Sequence, residues 1–359
     1  MRDSRQQIAD SRWRPVLLLS AICCLLSGAS AQSQVTEKIS VERVIVDTRV
    51  TDDHGEPITG LEAGDFRVKI DGKPVKVESV EWVPETAAAR GLASIGKTQE
   101  ENPNPDEQPA PAGRLLVFLI QTDFARNAVR LGGQMKVMSN ADELIDSLEP
   151  EDKVAVFQFD SHLKFRLDFT DDKARVKNAL RDALAIDEPN EPPTVPNPSL
   201  KRHLNKEEMY RATKSEMALL IIGNALRTIP GPKSLILLGW GLGERLNGKI
   251  VMPREYPIAR HVLDVARTSV FSLDVTEADY HDLALGMAKA SGDTGGFYES
   301  TFRFPQMAFD RLKATLQGHY ELEVRKPEKK VPGLHSIEVD VDRRNATVMA
   351  RASYIEDGE

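Results

Sequence analysis

The run Leu115-Leu-Val-Phe-Leu-Ile120 limits what this chain can fold into more than any other stretch. Six apolar residues follow a proline-rich segment and end at Gln121-Thr122-Asp123. An apolar run this short, without alternation, reads as a strand buried on both faces. A helical pattern begins near Asn127, so the carboxyl end of the strand lies where an open α/β sheet places its ligand.

The α/β pattern extends over residues 114–318. Strands are expected at 152–160, 234–241, 270–275 and 296–300, with an antiparallel edge strand at 163–169. Helices are expected near 127–148, 173–184, 206–228, 258–268, 280–291 and 305–317. Strands alternating with helices predict a doubly wound, mostly parallel, Rossmann-like sheet. A second proline-rich loop falls at 187–205, longer than loops of compact domains usually are.

On either side the pattern changes to β. Residues 38–84 alternate apolar and polar through Val41–Val50, Phe66–Ile70 and Val75–Val83, with a hairpin signal at Asp71-Gly72. Residues 319–355 alternate in the same way. Each group is too small to bury a sufficient core, so together they are expected to make one β-sandwich-like companion domain. Residues 85–113 carry Pro103, Pro105, Pro109 and Pro111 among acidic and amide residues, which predicts a disordered linker.

Residues 1–31 read as a signal peptide. Arg2, Arg5, Arg12 and Arg14 form a basic start, Val16–Leu26 an apolar run, and Ala29-Ser30-Ala31 a small-residue cleavage pattern. The apolar run is shorter than the roughly 20 residues that span a membrane, so export to the periplasm or the exterior, with no span after cleavage, is expected. Both cysteines, Cys23 and Cys24, lie in this leader. The exported chain then has no disulfide and no thiolate chemistry. Its net charge of -8 before cleavage offers no footprint for nucleic acid.

The order of several segments resembles the acidobacterial von Willebrand factor A (VWA)-related proteins. They are Val46–Phe66, Asp71-Gly72-Lys73, the strand at 115–120, Pro230-Gly-Pro-Lys-Ser-Leu-Ile-Leu-Leu238, Ala288–Gly296, Tyr320-Glu-Leu322 and Ala350–Tyr354. The resemblance covers nearly all of the chain beyond the leader. It implies a Rossmann-like A domain with a metal-ion-dependent adhesion site: Asp-x-Ser-x-Ser after the first strand, a later Thr, and an Asp after the fourth strand. Such oxygen ligands suit Mg²⁺ or Mn²⁺. Here Gln121 stands at the first Asp, Asp123 and Ala125 at the two Ser positions, and Gly239-Trp240-Gly241 where an acid is expected. The site is therefore read as degenerate. The expectation is a non-catalytic module with no metal or other cofactor, binding an unknown protein partner through Gln121, Thr122, Asp123, Phe124, Ala125 and Trp240. The alternatives are a metal-dependent adhesin, or a hydrolase using Asp123, Asp274 and His281.

Other motifs are weaker. Gly243–Ile250 has most of a P-loop, but Ile250 takes the place of the Mg²⁺-binding Ser or Thr, and Pro253 and Pro257 follow. Asp293-Thr294-Gly295 spells an aspartic-protease triplet, of which that chemistry needs two copies. His162 beside Asp160-Ser161 lacks a nucleophile elbow. Asp279-Tyr-His281-Asp282 reads as a helix start with solvated charge. Trp240 suits either a core plug or an interface anchor.

Overall fold

The first strand, β1 (Arg43–Thr51), begins by burying Val44 and Val46 and exposing Ile45 between them, as a strand with one face on a core must, and is buried from Thr48 onward. It belongs to the computed structural model's described residues: 42–86, 89, 113–122, 128–327 and 331–356. The expected signal peptide, most of the expected linker, and Asp123, Phe124 and Ala125 lie outside them. β2 (Phe66–Ile70) turns at Asp71 and Gly72, both at positive φ, into β3 (Lys73–Val75). The run expected to continue to Val83 divides at Lys76: β3 stays beside β2, and β4 (Val77–Pro84) enters the sheet of β1.

The α/β segment follows. Its elements are β5 (Leu115–Gln121), α1 (Ala128–Asp146), β6 (Lys153–Phe159), β7 (Leu163–Thr170), α2 (Lys173–Asp182), α3 (Lys206–Arg211), α4 (Ser215–Leu226) and β8 (Lys233–Gly239). Then come β9 (Glu244–Leu246), β10 (Lys249–Val251), α5 (Tyr256–Val265), β11 (Thr268–Asp274), α6 (Ala284–Asp293), β12 (Tyr298–Ser300) and α7 (Pro305–Thr315). Six strands form one sheet in the order β12-β11-β8-β5-β6-β7. All pairs are parallel except β6 with the edge strand β7. Counted within the sheet, this is the 3-2-1-4-5-6 order of doubly wound folds, whose crevice opens at the carboxyl ends of the first and fourth strands. Those strands are β5 and β8.

β5 is buried along its whole length. Leu115, Val117 and Leu119 pack with Leu219, Ile222 and Leu263 of α4 and α5. Leu116, Phe118 and Ile120 pack with Val137, Ile145, Leu180 and Leu312 of α1, α2 and α7. The sheet is thus covered on both faces, which is why its central strands carry unbroken apolar runs.

Some elements differ from expectation. The single helix expected over 206–228 is two, α3 and α4, parted at Ala212–Lys214. Met209 and Ala212 turn into the core beside the edge strand while Ser215 begins a new helix under the crevice. Gly243–Ile250 covers the β9–β10 hairpin up to its last residue, Val251, and turns at Asn247 and Gly248 with positive φ. The helix expected from Tyr280 starts at Ala284. The loop 187–205 is held by buried Asp168, which accepts hydrogen bonds from Ser199 Oγ at 2.6 Å and Leu200 N at 2.9 Å.

The chain ends with β13 (Gly318–Arg325), β14 (Gly333–Val341), β15 (Thr347–Ala350) and β16 (Ser353–Glu356). The run expected from Ala346 to Ile355 is therefore two strands, and they enter different sheets. One sheet has the order β15-β1-β13-β4 and the other β16-β14-β2-β3. Both sheets combine strands from before and after the α/β segment; in the first these alternate, and in the second they meet at β14 and β2. Val46, Phe66, Val68, Tyr320, Leu322 and Ile337, drawn from both sheets, share one cluster. Tyr320 OH donates to Ile58 O at 2.9 Å and accepts from Leu61 N at 3.1 Å, so its buried hydroxyl is satisfied.

The first of these sheets meets the α/β segment through ions near the amino end of β11. Arg267 donates to both Asp47 oxygens, at 2.9 and 2.5 Å, and to Glu321. Arg49 reaches Ser269 at 3.1 Å and Glu85 at 3.3 Å. His319, fully buried, bonds Glu85 through Nδ1 at 2.7 Å, and its Nε2 lies 3.6 Å from Asp47 and 3.7 Å from Glu321. Burial opposes the charged imidazole, but the carboxylates of Glu321, Glu85 and Asp47 outweigh it and raise its pKa to about 9. His319 and Arg267 bring Glu321 down to about 2. A raised histidine contributes stability that is complete below its ordinary 6.5 and is lost as pH rises through 9. The lowered Glu321 contributes above its ordinary 4.5 and loses that contribution as pH falls through 2. The junction is strongest between 4.5 and 6.5. We therefore expect the urea midpoint to fall from pH 6.5 to pH 9.5, and the fall to shrink in His319→Gln; an equal fall in the variant contradicts this assignment.

Candidate functional site

A buried glutamine at the end of a parallel strand has four hydrogen bonds to satisfy and no water to satisfy them. Gln121, only 2% exposed, does so across the crevice. Its Oε1 accepts from Trp240 N at 2.8 Å and Gly241 N at 3.1 Å. Its Nε2 donates to Ser215 Oγ at 2.7 Å and Gly241 O at 2.6 Å. Its backbone carbonyl accepts from Gln134 Nε2 of α1 at 2.5 Å. One side chain thus ties β5 to the loop after β8 and to the start of α4.

The glycines flanking Trp240 permit this approach. A Cβ at Gly239 would fall 2.6 Å from Gln121 Oε1, and one at Gly241 would fall 2.4 Å from Leu283 Cβ. Gly241 also adopts a φ of 153°. Thr122 is buried as well. Its N–H donates to Phe159 O at 2.7 Å and its hydroxyl to Ala183 O at 2.5 Å. Trp240 is half-buried, packs against the core on the α1 face, and carries the Arg130 guanidinium 3.8 Å from its ring centre. Of the six residues read from the sequence, the fold brings Gln121 and Trp240 into direct contact and sets Thr122 beside them. Asp123, Phe124 and Ala125 fall outside the described residues.

Two participants were missed by the sequence reading. Ser215 was hidden inside an expected continuous helix, and its only signal was the helix start it makes. Buried Glu216 accepts from Gly243 N at 2.5 Å, and burial pushes its carboxyl above the usual range.

Among the described residues, those of the crevice do not fit a divalent ion of the adhesion type. Such an ion needs several oxygens, some of them charged, pointing at one place. Here amide N–H groups of Gln121 already point at Ser215 Oγ and Gly241 O, and its own oxygen faces two backbone N–H donors. Elsewhere among the described residues, Asp47, His319 and Glu321 bring ligand atoms within 4.8 Å of one another. Arg267 donates to both of those carboxylates, so that group is an ion-pair network.

Asp160 bonds Ser161 and Lys164. His162 meets Ser161 Oγ through Nδ1 at 3.0 Å and the Glu188 carboxylate through Nε2 at 3.0 Å, beside the Tyr210 ring, so the histidine joins a hydroxyl to an acid, and that acid is the exposed Glu188 and not Asp160. Asp293 closes α6 and accepts from Tyr256 OH at 2.7 Å, and Gly295 turns at positive φ. Asp274 and His281 do meet: Asp274 Oδ2 lies 2.5 Å from His281 Nε2 and accepts from Tyr298 OH at 2.8 Å. Burial beside Asp274 raises the Tyr298 pKa.

The chain resembles von Willebrand factor A-type proteins. It is 12% identical to a von Willebrand factor type A protein from Catenulispora acidiphila, over 89% of this chain and 76% of that one, with a TM-score of 0.41. An aerotolerance-related membrane protein from Bacteroides fragilis is 12% identical over 57% of this chain and 98% of that one, with a TM-score of 0.38. Proximal thread matrix protein 1 of the mussel byssus is 12% identical over 59% of this chain, with a TM-score of 0.37. The chain spans 48% of the length of that protein, which has also been solved with zinc in its adhesion motif. No family model and no curated protein matches the chain.

Gln121→Met keeps the length of the side chain and removes its hydrogen bonds. It leaves the N–H groups of Trp240 and Gly241 without this acceptor, so a loss of roughly 3 kcal/mol in urea unfolding is expected. A loss below about 1 kcal/mol would show that the tie across the crevice is not structural.

Proposed function

We propose that this chain is an exported, non-catalytic protein-interaction module of the VWA type, its adhesion-site metal replaced by a neutral, hydrogen-bonded closure. The observation that carries this reading is the Gln121 amide, with all four of its hydrogen bonds committed within the crevice. A partner that binds there meets no open cation coordination. The proposed face comprises Gln121, Thr122, Asp123, Phe124, Ala125 and Trp240. Gln121 and Thr122 support it from beneath, and Trp240 offers the aromatic surface that anchors protein interfaces. Export rests on the basic, apolar and small-residue order of residues 1–31. No helix among the described residues is long and apolar enough to cross a membrane.

We also propose that 38–84 and 319–355 form one β-sandwich-like domain, with the α/β domain, 114–318, inserted between them. The pairing of β1 with β13 and of β2 with β14 supports this arrangement. Residues 32–84 expressed alone should show no cooperative unfolding; a stable, cooperatively folding fragment would refute the shared domain.

Trp240→Ala should reduce capture of the partner from periplasmic extract or culture medium about tenfold, with far-UV circular dichroism unchanged. EDTA should leave capture unaltered. Saturable Mg²⁺ or Mn²⁺ binding at sub-millimolar concentration, lost in Asp123→Ala, would instead establish the metal-dependent adhesin.

A further inference from the structure

One strand away from the crevice, the carboxyl ends of β11 and β12 enclose two adjoining cavities. One, of about 310 Å³, is lined by Asp274, Tyr280, His281 and Tyr298 among others. The other, of about 360 Å³, is lined by Phe302, Arg303, Phe304 and Met307. Asp279, Glu299 and Ser300 border both. The two therefore form one bipartite site at the ligand end of the sheet.

Its chemistry selects among ligands. Each carboxylate already has a cation or hydrogen-bond donor of its own. Arg303 lies 2.6 Å from Asp279, Arg311 lies 2.7 Å from Glu299, and Asp274 holds His281 and Tyr298. The carboxylates and guanidiniums offset one another, so the site offers a charged ligand little net attraction. A neutral ligand with several hydroxyls needs none. Each carboxylate has about four acceptor positions and each guanidinium five N–H groups, so paired side chains retain capacity for hydroxyl groups. Two aromatic rings border the cavities and stand largely in solvent: Tyr280 is 66% exposed and Phe304 64%. Flat apolar faces beside planar polar groups match a ring that has C–H bonds on its face and hydroxyls on its edge.

We propose that this bipartite site binds a neutral oligosaccharide, with one sugar unit against Tyr280 and the next against Phe304. Asp279, Glu299 and Ser300 lie between the two units and take hydroxyls from both. His281 presents its second nitrogen, the one not held by Asp274, as a further hydrogen-bonding group. The proposal is independent of the crevice reading, because it uses no residue of the Gln121–Trp240 face.

The test is isothermal titration of the full exported chain with cellotetraose, maltotetraose, mannotetraose and N-acetylchitotetraose. Tetragalacturonate and tetralysine serve as charged probes. Saturable binding of at least one neutral tetrasaccharide at millimolar concentration or below is expected, with neither charged probe binding. The double variant Tyr280→Ala/Phe304→Ala should weaken binding about tenfold or more, since both rings are exposed and each contributes stacking. Asp279→Asn should weaken it severalfold, and Leu246→Ala on the β9–β10 hairpin should not change it. The proposal is overturned if no neutral tetrasaccharide binds at roughly 10 mM. It is equally overturned if the double variant binds as the parent does, or if tetralysine binds in preference, which would assign the site to a basic peptide.

Discussion

Complete burial of β5 sets the terms for the rest of the molecule. A strand with helices packed on both faces can satisfy its backbone through β6 and β8, and its apolar side chains need no more than close neighbours. Its last residue is polar and equally buried, and desolvated polar groups must be paired. Gln121 meets this demand by reaching the loop after β8 and the first residue of α4. The place where this fold class usually receives a ligand is thereby joined by the protein's own hydrogen bonds. A carboxylate there would bring charge that only a cation could balance, whereas an amide carries donors and acceptors together and balances itself.

That closure shifts attention to the rim. Trp240 is lifted between two glycines that cannot accept a side chain, and its ring lies between the core and the Arg130 guanidinium. One strand further, the loops after β11 and β12 gather aromatic rings, paired carboxylates and a histidine around two cavities. Both places lie at the carboxyl ends of parallel strands, while the ionic contacts with the sheet of β1 gather near the amino end of β11. Structural charge and candidate binding surface thus occupy opposite ends of β11.

Much of the α/β portion was legible because its signals are local. Unbroken apolar runs, proline-rich punctuation and helical periodicity fixed β5, β6, β8 and most helices to within a few residues. Boundaries failed where tertiary contacts overrode pattern. The helix expected across 206–228 breaks because Ala212 and Ser215 serve different neighbours, the edge-strand core and the crevice. The run after Val75 and the run after Ala346 each divide because two sheets compete for their strands. Periodicity reports which face of a strand is apolar, but it does not report which sheet receives it.

The sequence by itself determined the composition of the described crevice: an amide, two glycines and a tryptophan. It also determined the alternation from which each strand and helix arises, since both follow from residue type and spacing along the chain. Only the tertiary structure decided what those residues do. Hydrogen bonds that Gln121 donates to Ser215 and accepts from Trp240 and Gly241 join positions about a hundred residues apart, as the 94-, 119- and 120-residue separations show. His281 lies seven residues from Asp274, yet their contact depends on a loop folding back over the strand end, where Tyr298 joins them. Hydrogen bonds depend on distance and direction in space, and linear order specifies neither until the chain has packed.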